Sequence, residues 1–169
     1  VLFEVSSVVG LAARLESRAG DGGRVALVAQ PRPERVPLSL AQQRMWFLNR
    51  FDPESGVNNV PIALRLRGAL DPAALGAALR DVVGRHEVLR TVYPEVDGVG
   101  HQLVLSVSEA GLDLTPMAVS EDEVVFAVTA VASAGFDVAV EVPIRVRLLR
   151  VSEVEHVLVF VVHHIAADG

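Results

Sequence analysis

Hydrophobic positions along this chain recur with two periods, and the switches between them mark out its elements. From Val60 to Arg67 they alternate, with Ile62, Leu64 and Leu66 set against Arg65 and Arg67, which predicts a half-buried strand. Leu75, Ala78, Leu79, Val82 and Val83 then follow at helical spacing. This helix starts from Asp71 as N-cap and Pro72 as first helical residue, and ends near His86. Another helix is predicted over residues 40–49, where Ser39 and Gln42 form a capping-box pair and Met45, Trp46 and Leu48 supply the buried side. Ser120 and Glu123 repeat that pattern before a helix to about Ala134. Strands are expected at about residues 88–93, at 101–107 after the glycine-rich turn Asp97–Gly100, more weakly at 112–119, and as a hairpin over 144–151 and 154–162. Within the last of these, Val157 to Val162 is continuous and uncharged and reads as a strand buried on both faces. Helices and strands interleave without internal repeats, so the fold class is mixed α/β.

The first 36 residues differ. Ser7 can cap a short helix with Val8, Leu11, Ala12 and Leu15 at helical spacing. Gly20, Gly22, Gly23, Pro31 and Pro33 then break a stretch of scattered charges, which is linker composition. The expected organisation is a remnant of a preceding domain over 1–15, a linker over 16–36 and a compact domain over 37–169.

Composition narrows the function classes. With 169 residues and 51% apolar positions the chain can bury a core. The mean hydropathy of +0.41 reflects Val, Ala and Leu in buried elements. No apolar run approaches a membrane span, and the first residues lack the pattern of a signal peptide. The absence of cysteine excludes a disulfide framework and a thiol nucleophile, and suits a cytoplasmic protein. A net charge of −6 argues against nucleic acid as a partner. Arg65, Arg67, Arg145, Arg147 and Arg150 are read as the solvated faces of strands.

The chemistry concentrates in His163-His164-Ile165-Ala166-Ala167-Asp168-Gly169. If both histidines remain in the strand, pleating points them in opposite directions: His164 with Leu158, Phe160 and Val162, and His163 with Val157, Val159 and Val161. One imidazole can then face a reaction channel while the other is held in the protein. Neighbouring strand positions converge poorly on one ion, and no further His lies at a ligand spacing, so no metal is expected. By itself the stretch reads equally as a strand end whose polar groups satisfy one another or as an active site. His101 and His156 show no constellation and are read as surface or turn residues, and His86, Trp46 and Arg44 as packing and hydrogen-bonding residues.

Three segments resemble one family. Ser39 to Leu48 is similar to the S-x-A-Q-x-R-L-W-x-L opening of nonribosomal peptide synthetase condensation domains. Arg85 to Tyr93 resembles their R-H-E-x-L-R-T-x-F segment, with Tyr93 for the usual Phe, and His163 to Gly169 resembles their H-H-x-x-x-D-G motif. The resemblance covers residues 37–169, and Leu2 to Ala12 looks like the last helix of a peptidyl carrier domain.

That resemblance implies a chloramphenicol-acetyltransferase-like fold of two lobes with a channel between them, of which this chain matches the first lobe only. It implies an acyltransferase-type reaction in which the amine of a carrier-bound acceptor attacks a donor aminoacyl thioester and forms an amide. His164 would be the catalytic histidine, supported by His163, Asp168 and Gly169. A free α-amine has a pKa of about 7.7–8.0 against about 6.5 for imidazole, so positioning and charge stabilisation matter beside proton removal. Gly169 would let a backbone N–H approach the thioester oxygen. Asp168 would pair with an arginine to hold the motif, Arg85 and Arg90 being the candidates in this chain. The opening motif and Val57 to Pro61 look like the subtype that takes an L-configured donor.

The implied partners are upstream and downstream peptidyl carrier domains bearing 4'-phosphopantetheine, an adjacent adenylation domain and the second lobe, with no cofactor bound directly. An epimerisation domain shares the histidine motif and is the competing enzyme reading. A non-catalytic carrier-docking fragment is the competing non-enzymatic one. The single lobe is expected to be inactive alone and to expose apolar surface.

Overall fold

A computed structural model describes residues 7–16 and 28–167 and divides the chain into two units, residues 1–32 and 33–169. In the first unit α1 (Val8–Glu16) starts where the Ser7 hydroxyl accepts a hydrogen bond from the Gly10 N–H at 3.2 Å. Val8 and Val9 are exposed on it.

The second unit is built on a four-stranded sheet. Its long strands are β2 (Asn59–Arg67), β7 (Ile144–Ser152) and β8 (Glu155–His163), and the short β6 (Met117–Ala118) completes the order β2-β8-β7-β6. β8 is central and antiparallel to both long neighbours, and β6 joins β7 in parallel. Gly68 N–H donates to Val154 O, and His164 N–H to Asn58 O, so even-numbered residues of β2 bond to β8. Pro61 therefore turns its missing N–H to the free edge, where no ladder bond is lost.

The two faces of β8 carry separate cores. Val157, Val159 and Val161 pack with Phe136, Val138 and Leu149 beneath α4 (Val124–Ser133) and Met45 and Trp46 of α2 (Leu40–Phe51). Val162 packs on the other face with Ile144, Val146, Leu148 and Val83 of α3 (Pro72–Arg85). A small sheet of β1 (Val36–Pro37), β3 (Thr91–Val92), β4 (Glu95–Val96) and β5 (Val99–Val104) lies beside them in sequence, with Asp97 and Gly98 both at positive φ in the two-residue turn between β4 and β5.

The predicted caps form. Ser39 and Gln42 close a reciprocal capping box, Asp71 accepts from Ala73 and Ala74 N–H, and Ser120 pairs with Glu123 before α4. Other expectations change. Residues 87–90 form a 3-10 turn instead of a strand, because the Thr91 hydroxyl bonds to Glu87 O and the Arg90 guanidinium to the carbonyls of Val83 and Leu105. The strand expected over 112–119 shrinks to β6. Leu48 points outward while Asn49 takes the buried position on α2. Ile62 and Leu64 remain about half exposed, and Ala78 and Val82 face outward.

Three readings of polar residues are likewise corrected. His156 is buried within β8, and His101 half-buried within β5, because both sit in paired strands and not in turns. His86 caps the exposed end of α3 and Arg44 is exposed, whereas Trp46 is held by its indole N–H donating to Tyr93 O at 2.9 Å. Arg65 and Arg67 do lie exposed and bond to Glu155, Arg65 also to Glu121; Arg145 is drawn into the interior, as described next.

Candidate active site

Strand β8 delivers the histidine pair, and the two residues meet opposite environments. His163 is its last residue; its N–H donates to Pro143 O at 3.0 Å and its ring is fully buried, edge-on to Phe136 at 6.0 Å between centroids. Its Nδ1 accepts the Ile165 N–H at 3.1 Å, which leaves the ring proton on Nε2. Burial, with His164 adjacent, pushes its pKa down to about 4, so the His163 ring is neutral at physiological pH.

His164 lies beyond the strand, in a turn closed by Ala166 N–H donating to His163 O at 2.9 Å. Strand parity therefore does not orient it, which corrects the expectation that it shares a side with Leu158, Phe160 and Val162. Its ring is exposed and lines a cleft of about 470 Å³ with Ser39, Gln42 and Met45 of the α2 region and with Ile165 and Ala166. Nδ1 lies 2.7 Å from the Ala167 carbonyl. A carbonyl can only accept, so in the neutral ring Nδ1 carries the hydrogen and Nε2 has the lone pair. The arrangement presents an oriented imidazole base at an open cleft.

Asp168 and Gly169 lie outside the described residues. Of the two arginines considered for Asp168, Arg90 is largely buried; it bonds to the carbonyls of Val83 and Leu105 and lies 3.7 Å from Glu87, bracing α3 against the chain after β5. Arg85 is exposed at the end of α3.

The segment after α4 forms the wall behind His163, and three side chains tie it down. Asn49 Nδ2 donates to Phe136 O at 2.7 Å and its Oδ1 accepts Val138 N–H at 3.2 Å. Asn59 Nδ2 donates to Ala132 O and Ala134 O at 2.8 and 2.9 Å. Arg145 donates to Ala134 O and Gly135 O at 2.8 and 2.7 Å while its guanidinium stacks 4.1 Å from the centre of the Phe136 ring. Burial pulls the Arg145 pKa down, and Glu141 at 3.6 Å opposes this. A Cβ on Gly135 would collide with Pro53 O, and one on Gly56 with Ser133 O, so both glycines are needed where the two loops touch.

Sequence reasoning did not single out Asn49, Asn59 or Arg145. Only Asn49 carried a signal, a polar residue four positions after Met45 where the apolar pattern points inward; Arg145, between Ile144 and Val146, falls on the face that alternation marks as outward. Tyr93, which replaces the resembled family's usual Phe, is fully buried, and burial pushes its phenol up to about 12. Among the described residues no group of three His, Cys, Asp or Glu side chains converges as a metal site, and no helix is long and apolar enough to cross a membrane.

Residues 33–169 match the family model described as "Condensation domain". The chain belongs to that family. It is 52% identical over 146 residues to the isonitrile lipopeptide synthase of Mycobacterium tuberculosis, covering 85% of this chain and 6% of that protein. With the dimodular nonribosomal peptide synthase of Bacillus subtilis it shares 40% identity over 168 residues, covering 99% of this chain and 7% of the relative. Among solved structures, the X-domain in complex with OxyB from teicoplanin biosynthesis is 44% identical with a TM-score of 0.77, covering 85% of this chain and 31% of that one. The starter condensation domain of rhizomide synthetase, 21% identical with a TM-score of 0.69 over 81% of this chain and 34% of that one, shares the fold. The mixed α/β unit is thus one lobe of a chloramphenicol-acetyltransferase-like condensation domain, and the chain spans only a small part of the curated relatives it matches.

Proposed function

We propose that this condensation-family lobe carries the catalytic histidine of an amide-forming reaction between two carrier-bound thioesters. The observation that carries the reading is the His164 ring, held through Nδ1 on Ala167 O with Nε2 free at the cleft. The acceptor amine attacks the donor thioester carbonyl, a C–N bond forms and the C–S bond breaks. His164 Nε2 takes the proton the amine loses and returns it to the departing thiolate. His163, neutral and buried, anchors the turn; Asp168 and Gly169 complete it, Asp168 with an arginine partner and Gly169 with its N–H toward the thioester oxygen. Arg85 is the more available partner, since Arg90 already serves backbone carbonyls.

The partners in this reading are upstream and downstream carrier domains bearing 4'-phosphopantetheine, an adenylation domain and a second lobe that closes the channel. In this reading residues 1–15 are a remnant of a carrier domain, 16–36 the linker and 37–169 the first lobe, of the subtype taking an L-configured donor. The test is dipeptide formation on two loaded carriers by the full synthetase module. His164→Ala is expected to remove turnover, and a variant that still turns over normally sinks the catalytic assignment.

A second reading is favoured by the 44% identity to an X-domain solved in complex with OxyB: a condensation-type lobe that docks a partner instead of forming amides. A module that forms no dipeptide but retains a stable partner complex would support it.

A further inference from the structure

Asn59 and His163 face each other across β2 and β8 in register. The ladder bond from His164 N–H to Asn58 O makes residues 58 and 164 a hydrogen-bonded pair, so 59 and 163 form the adjacent non-hydrogen-bonded pair, the kind that brings side chains closest. The amide of Asn59 cannot flip: its Nδ2 is committed to Ala132 O and Ala134 O, which leaves Oδ1 as the free end. The ring of His163 is equally fixed, because its Nδ1 accepts from Ile165 and Nε2 must bear the hydrogen. Asn59 Oδ1 and His163 Nε2 are both buried side-chain atoms without a hydrogen-bond partner. One is an acceptor and the other a donor, and burying both without a partner leaves each with its desolvation penalty unrelieved.

We infer that Asn59 is a positioning residue for the histidine turn: its side-chain carbonyl accepts the His163 Nε2–H and so fixes the ring from which the His164 turn is suspended. Paired side chains of this class keep Cβ atoms about 4.5–5.5 Å apart, so a modest side-chain rotation closes the bond. The same amide then ties three things together: the wall after α4, the buried imidazole and, through Ile165 N–H, the turn itself. Among the described residues, the charged and titratable groups around the ring are His164 next in the chain and Arg145 across Phe136, the latter balanced by Glu141.

The experiment uses the full synthetase module with 15N-labelled histidine. Long-range 15N–1H spectra of the unsubstituted protein should show His163 as the Nε2–H tautomer with a slowly exchanging proton; the Nδ1–H tautomer would overturn the inference. Asn59→Asp keeps an acceptor and adds a charge, so the His163 titration midpoint should rise by about one pH unit or more. An unmoved midpoint in the folded variant overturns the pairing. Asn59→Ala should lower kcat about tenfold with KM unchanged, while Asn59→Asp recovers part of that loss. An unchanged kcat for Asn59→Ala removes the positioning role. Should Asn59→Ala not fold, the tautomer and the Asp titration still decide. Amide formation by the unsubstituted module is measured in parallel: a parent that forms no amide counts against the proposed reaction, and the spectra judge the Asn59–His163 pair on their own.

Discussion

The face of β8 that carries Val157, Val159 and Val161 is roofed by α4 and by a loop tied through Asn49, Asn59 and Arg145, whereas the opposite face is covered by apolar contacts with α3 and leaves Ile62 and Leu64 about half exposed. Both faces bury hydrophobic surface, which drives folding without direction. On the first face Asn49, Asn59 and Arg145 also tie the covering loop to the sheet side by hydrogen bonds to its backbone, and these have angles and lengths that a sliding loop cannot satisfy. The histidine pair leaves the sheet at that directional side. Precision at His164 therefore rests on polar ties around an apolar core, and burial alone would not supply it.

The largest expected effect breaks the tied face at its centre. Phe136→Ala removes the fully buried ring between His163 and Arg145 and should cost about 3–5 kcal/mol, read as a lowered denaturant midpoint. The pH dependence of stability comes next. His163 has its folded pKa depressed to about 4, below the unfolded value of about 6.5. Its contribution is fully present above about pH 6.5 and is lost as pH falls toward 4, where the unfolded chain binds a proton that the folded one refuses. Stability should thus decline over that window by an amount on the order of a few kcal/mol, and His163→Phe should flatten the decline in urea titrations. Asn49→Ala strands Phe136 O and Val138 N–H and should cost about 1–3 kcal/mol. On the other face, Leu64→Ala should cost under about 1 kcal/mol in the same melt, because its side chain is already half in water. If Asn49→Ala proves no worse than Leu64→Ala, the contrast between the faces fails.

Much of this arrangement was legible beforehand where the signal is local. Ser39 with Gln42, Asp71 with Pro72 and Ser120 with Glu123 each start an element as read, because a cap acts within four residues of chain. The hairpin leading to the histidines was legible from its continuous apolar runs. Residues 87–90 were not, since Arg90 bends that stretch by reaching carbonyls seven and fifteen residues away. Arg145 looked like a solvent-facing arginine because alternation identifies a face and not what covers it; the loop after α4 and Phe136 turn that face inward. His156 was read as a surface or turn residue for want of a constellation, and its pairing between β2 and β7 is what buries it.

The sequence by itself determined the mixed α/β element order, the capped starts of the helices and the strand that ends in two histidines, since each depends on periodicity and on neighbours in the chain. Only the tertiary structure decided what the histidines are. The turn at residues 164–166 removes His164 from the strand's alternation and opens it beside α2, while Phe136, Asn59 and Arg145 gather around His163 from distant segments. Burial and hydrogen-bond partners set an imidazole's proton, and both are properties of what the fold brings near, not of adjacent residues.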